Sequence, residues 1–193
     1  MIQFSLPLLG FCAFSGTGKT TLLKQLLPIL KARDLRIGVI KHAHHQFDID
    51  HKNKDSYELR KAGAAQMLIA SRRRMALITE FETDHPEPTL EQTLEALNPA
   101  QLDLVLVEGF KREQFPKIEL HRPSMGKSLM CATDPSVIAI ATDAPLFPSP
   151  IHIPVLDLNH IIGISDFVLN YTQQMKESGT DDKHAQPNRR RLQ

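Results

Sequence analysis

Net charge, cysteine and long apolar runs are all scarce in this chain of 193 residues. Its 23 lysines and arginines stand against 22 aspartates and glutamates, a formal charge of +1, so no overall field draws it to nucleic acid or to a lipid surface. Partner choice must then lie in local sites. The 2 cysteines, Cys12 and Cys131, are far apart in sequence, and in a reducing compartment they are expected as two thiols with no disulfide. The longest apolar runs, such as Leu102 to Val107 broken by Asp103, fall far short of the ~20 residues of a membrane helix. Met1 leads into Ile2-Gln3-Phe4-Ser5-Leu6-Pro7 with neither a basic start nor a cleavable small-residue site, so the opening reads as the approach to a first strand. The expected compartment is the cytoplasm. What remains is an ordinary globular composition, 41% apolar and 23% charged, of a length that suits one domain and with no internal repeat.

The order of elements follows from periodicity and punctuation. Leu6 to Cys12 is a short apolar run ending at a glycine-rich turn, and Leu22, Leu23, Leu26, Leu27 and Leu30 then recur at helical spacing. Arg36 to Lys41 predicts a second strand, followed by the polar, histidine-rich stretch 42–54. Asp55 is placed to cap a helix, with Glu58 three residues on as in a capping box and Gly63 to end it. Gln66 to Ile78 reads as two short strands joined at Ser71 to Arg74. Thr89 with Gln92 opens another helix through Leu97. Asp103 to Val107 carries four successive branched apolar residues, the pattern of a strand covered on both faces. Further strands are expected at Lys117 to His121, Val137 to Thr142 and Ile153 to Leu156, and then a closing helix with Ile164, Phe167, Val168, Tyr171 and Met175 on one face. This alternation predicts an α/β fold, a mostly parallel central sheet with helices on both faces and a small β insertion. From Lys176 the composition turns to Ser, Gly, Asp, Lys, Pro and a terminal Arg189-Arg190-Arg191, which divides the chain into a domain over 1–175 and a disordered polar tail over 176–193.

The segment Ala13-Phe14-Ser15-Gly16-Thr17-Gly18-Lys19-Thr20 matches the phosphate-binding P-loop pattern, with Ala13 where the first glycine is usual. A strand precedes it and a helix follows, which is the context the motif needs to aim a helix N-terminus and a run of backbone N–H groups at an anion. The expected P-loop NTPase cradle comprises Ser15, Gly16, Thr17, Gly18, Lys19, Thr20 and Thr21, with Lys19 on phosphate and Thr20 on Mg2+. A P-loop also needs a carboxylate for the metal and its waters. Ligands bind beyond the carboxyl ends of parallel strands, so Glu108 is expected on the nucleotide side and Asp103 on the far side. Glu108 is thus the expected metal-proximal carboxylate and the candidate catalytic residue.

Four stretches taken together, Ala13 to Thr21, Ile40 to His45, Lys54 to Ala64 and Leu104 to Lys111, resemble the MobB family of molybdopterin-guanine dinucleotide biosynthesis adaptor proteins, over most of residues 5 to 172. The resemblance implies a GTP-binding homodimer with at most slow GTPase activity, which assists a MobA-type nucleotidyltransferase as it joins GMP to molybdopterin. Whether molybdopterin touches this chain stays open. One departure is local: the family often has Pro-Gly before the Lys-Asp-Ser segment, and this chain has Lys52-Asn53, a pair that can keep the turn because Asn tolerates a left-handed backbone. Lys54 beside it is a candidate phosphate contact.

Other residues admit two readings each. His42, His44 and His45 follow a strand end, where they could hold a metal, meet an anionic substrate or simply pack the loop. Asp50, with Asp48, could join Thr20 around magnesium through water or be solvated. No Asn-Lys-x-Asp sequence occurs, and Asp143, after the strand Val137 to Thr142, is the candidate reader of guanine or else a turn former with Ala144-Pro145. Lys111 and Arg112 sit at the expected ligand edge, whereas Arg72 to Arg74 reads as a solvated tip. Two rival functions remain: a small-molecule kinase on the same P-loop, with those basic residues as its lid, and a metal-insertion GTPase using the three histidines.

Overall fold

The computed structural model describes residues 2, 4–43, 47–81, 85–146 and 151–184. In chain order the elements are β1 (Leu8–Cys12), α1 (Lys19–Lys31), β2 (Ile37–Lys41), α2 (Asp55–Lys61), β3 (Gln66–Ala70), β4 (Met75–Thr79), α3 (Leu90–Glu95), β5 (Leu104–Glu108), β6 (Lys117–His121), β7 (Val137–Thr142), β8 (Val155–Asp157) and α4 (Ile161–His184). They fall into two compact units, Met1–His42 with Leu90–Gln193, and Ala43–Thr89. Among the described residues, no helix is long and apolar enough to cross a membrane.

The first unit is a six-stranded sheet in the order β2-β5-β1-β6-β7-β8, parallel at every pairing. Its inner strands β1 and β5 are buried on both sides, which is why they read as unbroken apolar runs. The strand period of two sends Leu9, Phe11, Leu104 and Leu106 to one face, where Leu22, Leu23, Leu26 and Leu30 of α1 and Ile164 and Val168 of α4 cover them. Leu8, Val105 and Val107 go to the other face, beneath Leu90 and Leu94 of α3 with Phe110 and Phe115. Each fully buried leucine contributes roughly 1.5–3 kcal/mol. The fold is therefore α/β with helices on both faces, as the sequence predicts, and its P-loop stands at the carboxyl end of β1.

β6 is less ordinary. Ile118 and Leu120 join the core, but the alternate residues Lys117, Glu119 and His121 are also buried. The two charges, Lys117 and Glu119, survive there because both are engaged. Lys117 Nζ meets Asp134 at 2.9 Å and donates to the Glu113 carbonyl at 2.6 Å, while Glu119 accepts from the Met130 and Cys131 amides at 2.8 and 2.9 Å. The segment between β6 and β7 is thereby tied to the sheet. Burial together with the Glu119 carboxylate pushes the Cys12 thiol up to about 12, and Cys12 and Cys131 are both free.

The second unit pairs β3 and β4 as an antiparallel hairpin closed by Ser71, whose hydroxyl oxygen accepts from the Arg73 and Arg74 amides. This is the expected β insertion. Asp55 does not cap α2; it is the first helical residue, Lys54 holds the cap position with an extended backbone, and no side chain caps the end. Asn53 takes φ +66°, the left-handed turn expected of it. Arg60 is buried and bound by Asp48, Asp50 and Glu80. Its hydrogen bond to Asp50, at 2.6 Å, holds that carboxyl below its ordinary value. Stability from this pair is complete above the unfolded carboxyl pKa of about 3.9 and is lost as pH falls through the lower folded value. Asp50→Asn should accordingly lower the thermal midpoint at pH 7 and narrow the difference between pH 7 and pH 3. A mutant whose acid sensitivity matches the wild type would remove Asp50 from the acid transition.

A second boundary also differs from expectation. Regular helix continues through α4 to His184, although the composition turns polar at Lys176. Over residues 173–178, which are exposed, contacts four residues apart from Gln173 to Glu177 and from Ser178 to the Gln174 carbonyl support the helix. Residues 185–193 of the expected tail lie outside the described residues.

Candidate functional site

The loop after β1 owes its course to two glycines. Gly16 and Gly18 take φ +83° and +107°, values at which a side chain would be strained, and Gly18 is the N-cap of α1. Thr17 is buried, and its hydroxyl donates to the Phe14 carbonyl at 2.8 Å across the turn. Lys19, the first residue of α1, folds back so that Nζ donates to the Ala13 carbonyl at 3.3 Å. The ammonium thus lies over the loop, beside the N-terminus of a 13-residue helix whose leading N–H groups lack helical partners.

Glu108 ends β5, the strand beside β1, and the sheet brings it to the loop. The Thr20 hydroxyl donates to Glu108 Oε1 at 3.2 Å, and Lys41, at the end of β2, approaches Oε2 at 3.8 Å. Burial pulls the Lys19 pKa below its ordinary value; Glu108 pulls it up, and Lys111 and Lys41 add to the lowering. Lys19 thus feels one carboxylate, Glu108, and two further ammonium groups, Lys111 and Lys41. Glu108 is followed by a tight turn: Gly109 has φ +108°, and a Cβ there would come within 2.5 Å of the His42 Cβ. Phe110 has φ +47° and stacks on the His42 ring at 4.3 Å. Asp103, at the opposite end of β5, is engaged by Arg36 at 2.9 Å.

The segment after β6 forms another wall of the loop. Arg122 Nε donates to the Thr17 carbonyl at 3.0 Å, and its Nη1 pairs with Asp143 at the end of β7. Met125 Sδ accepts from the Thr17 hydroxyl at 3.6 Å, and Lys127 lies over the Phe14 ring at 5.8 Å. Beside this wall opens a cavity of about 380 Å³, bordered by Gly16–Gly18, Thr21, Arg122, Leu158 and Asn159.

The expected site residues divide accordingly. Ser15 to Thr21 and Glu108 come together, and Asp143 reaches the same wall through Arg122. Asp50 and Lys54 belong to the second unit, where Asp50 is engaged by Arg60 and Lys54 precedes α2. His42 packs on Phe110, while His44 and His45 lie outside the described residues. Among the described residues, no group of three or more His, Cys, Asp and Glu could hold a metal. Lys111 and Arg112 are exposed at the ligand edge, and Arg72 to Arg74 are exposed at the hairpin turn. Sequence reasoning passed over Lys41, Arg122 and Asn159. All three stand at or just past the carboxyl end of a parallel strand, and the rule that found Glu108 would have found them too.

The molybdopterin guanine dinucleotide synthesis protein B (MobB) family has a sequence model that matches residues 8–143. The chain is 49% identical over 170 residues to the molybdopterin-guanine dinucleotide biosynthesis adapter protein of Escherichia coli (strain K12), spanning 88% of this chain and 95% of that protein. Identity to the Haemophilus influenzae adapter protein is 44%, over 86% of this chain and 89% of the other. A crystal structure of molybdopterin-guanine biosynthesis protein B aligns with a TM-score of 0.67 at 24% identity, over 86% of this chain and 99% of its own. Bacillus subtilis MobB aligns at 0.65 and 21% identity, over 86% and 97%. At those identities the two structures speak for the fold.

Proposed function

The chain belongs to the MobB family of molybdenum-cofactor biosynthesis adapter proteins, and from that premise we propose that it binds GTP with Mg2+ and positions it for a MobA-type nucleotidyltransferase. The observation that carries this reading is the contact between the Thr20 hydroxyl and Glu108 at the mouth of a loop opened by Gly16 and Gly18. A hydroxyl and a carboxylate are the hard oxygen donors that Mg2+ takes alongside water and phosphate. They fit the ion, and Thr20 and Glu108 would hold it. When bound, the metal would neutralise charge on the phosphates. Backbone N–H groups of the loop would bind phosphate oxygens, Lys19 would turn from the Ala13 carbonyl to the outer phosphates, and Lys41 would balance Glu108.

This assignment makes the chain an accessory protein with at most slow GTP hydrolysis, acting in the cytoplasm. Its test is reconstitution: added to a purified MobA-type nucleotidyltransferase with GTP and molybdopterin, the chain should raise the yield of the guanine dinucleotide, and Lys19→Ala should not. Equal yields with wild type, mutant and no addition would sink the accessory role.

A homodimer is part of the same reading. One face of the hairpin exposes Leu68, Met75 and Leu77, at 57, 72 and 58%. A two-stranded hairpin is marginal by itself in water, and an apolar face of this kind is stabilised by a partner. Light scattering after size exclusion should give the mass of two chains, and Leu68→Glu with Leu77→Glu should give that of one. A wild type that runs as one chain at micromolar concentration would refute the dimer.

A further inference from the structure

The cavity beside the phosphate loop has one charged wall and one neutral wall, and the residue expected to read the base is on neither. Asp143 does not border it. Its carboxylate is held by Arg122 Nη1, and Arg122 Nε in turn donates to the Thr17 carbonyl at 3.0 Å. The same guanidinium reaches the loop a second time: Nη2 lies 3.8 Å from where a Cβ on Gly18 would stand. The charge-assisted pair fixes the Asp143 carboxylate by its Oδ2 on the guanidinium, outside the cavity lining. Asn159 is free of that constraint. Exposed at the cavity's edge just past β8, it is held in its turn by its amide N–H, which donates to Asp157 Oδ1 at 2.8 Å. Its side-chain amide offers one acceptor and two donors, and the donors can meet an acceptor on a purine edge such as O6 or N7. Leu158 beside it supplies apolar surface for a ring.

We propose that the base is met at Asn159, and that Asp143 serves nucleotide binding as a positioning residue, through Arg122 and the Thr17 carbonyl. The proposal rests on the nucleotide-binding reading above and deepens it. It separates two contributions that a base-reading Asp143 would combine, because inorganic tripolyphosphate has no base.

Calorimetry with GTP, ITP and tripolyphosphate in magnesium, on the full chain, tests it. Asn159→Ala should weaken GTP by roughly three- to tenfold, the scale of a neutral hydrogen bond, and leave tripolyphosphate unchanged. Asp143→Asn should weaken GTP and tripolyphosphate by the same factor and leave the ratio of GTP to ITP affinity at its wild-type value. Asp143→Glu, which keeps the charge for Arg122, should recover most of that loss. The inference is overturned if Asp143→Asn weakens GTP alone or shifts the GTP to ITP ratio, or if Asn159→Ala leaves GTP untouched. A wild-type chain that binds neither GTP nor tripolyphosphate overturns the nucleotide-binding reading itself, and this inference with it.

Discussion

Lys19→Ala is expected to weaken GTP binding by roughly ten- to hundredfold, since a hydrogen bond to a charged group is worth about 1.5–3 kcal/mol and the outer phosphates carry several acceptors. The fold should survive the change. Among the described residues Lys19 makes one side-chain hydrogen bond, to the Ala13 carbonyl, and its burial already disfavours the charged form. Removing it costs the folded protein little and costs the bound phosphates a great deal. Calorimetric titration of GTP in magnesium, with a melting curve to verify folding, decides the matter: equal affinities for mutant and wild type would take Lys19 out of the phosphate site. Guanosine should bind both proteins equally weakly, because it has no phosphates for Lys19 to meet.

What the sequence makes legible here depends on whether a feature is local. β1, the glycine turn and α1 are contiguous, so the phosphate loop can be read from residues 8–31 with its context attached. The double-sided burial of β5 is likewise written in Leu104 to Val107. Strand order is a property of pairing across long separations, and β5 could sit between β2 and β1 without any local mark of it. That order is what brings Glu108 to Thr20, and the carboxyl-end rule was enough to foresee the meeting. Arg122 escaped because it ends a strand whose own buried face is charged, Lys117 and Glu119 included, so it looked like one more polar residue. Asn159 belongs to no motif, and only its place just past β8 marks it. Asp55 was misread as a cap for a different reason: the capping pattern places a polar residue near the helix start, and one residue of slip exchanges the cap for the first turn, where an acid is also favourable.

Arg122 also changes the meaning of Asp143. Read in sequence, an aspartate after a parallel strand is a free acceptor at the ligand edge. In the folded chain it balances a guanidinium that is itself bound to the loop carbonyl at Thr17. β6 supports this arrangement from beneath, because Glu119 and Lys117 tie down the segment that follows Arg122. The buried charges of β6 thus stabilise the wall of the phosphate loop, and their cost of desolvation is offset by hydrogen bonds on every side.

Glu108→Gln separates an accessory GTP binder from a competent hydrolase. Glutamine keeps the shape and one acceptor for the Thr20 hydroxyl but removes the charge. If Glu108 holds Mg2+, directly or through water, GTP affinity measured in magnesium should fall more than affinity measured in a chelator. Without the metal, the loss of a carboxylate beside a triphosphate relieves repulsion, so magnesium-free affinity should hold or improve. The ratio of the two affinities is then the reading, and it is insensitive to a general loss of fold because both measurements use the same protein. A general base behaves otherwise: it acts on the attacking water in the transition state, so its loss would abolish hydrolysis and leave GTP affinity nearly unchanged. On the proposed accessory role the expected pattern is the first, with hydrolysis slow before and after the substitution. A wild-type chain that hydrolyses GTP at the ~10 per second of a typical enzyme, and loses that activity on Glu108→Gln with its affinity intact, would make Glu108 a catalytic base and the chain an enzyme in its own right.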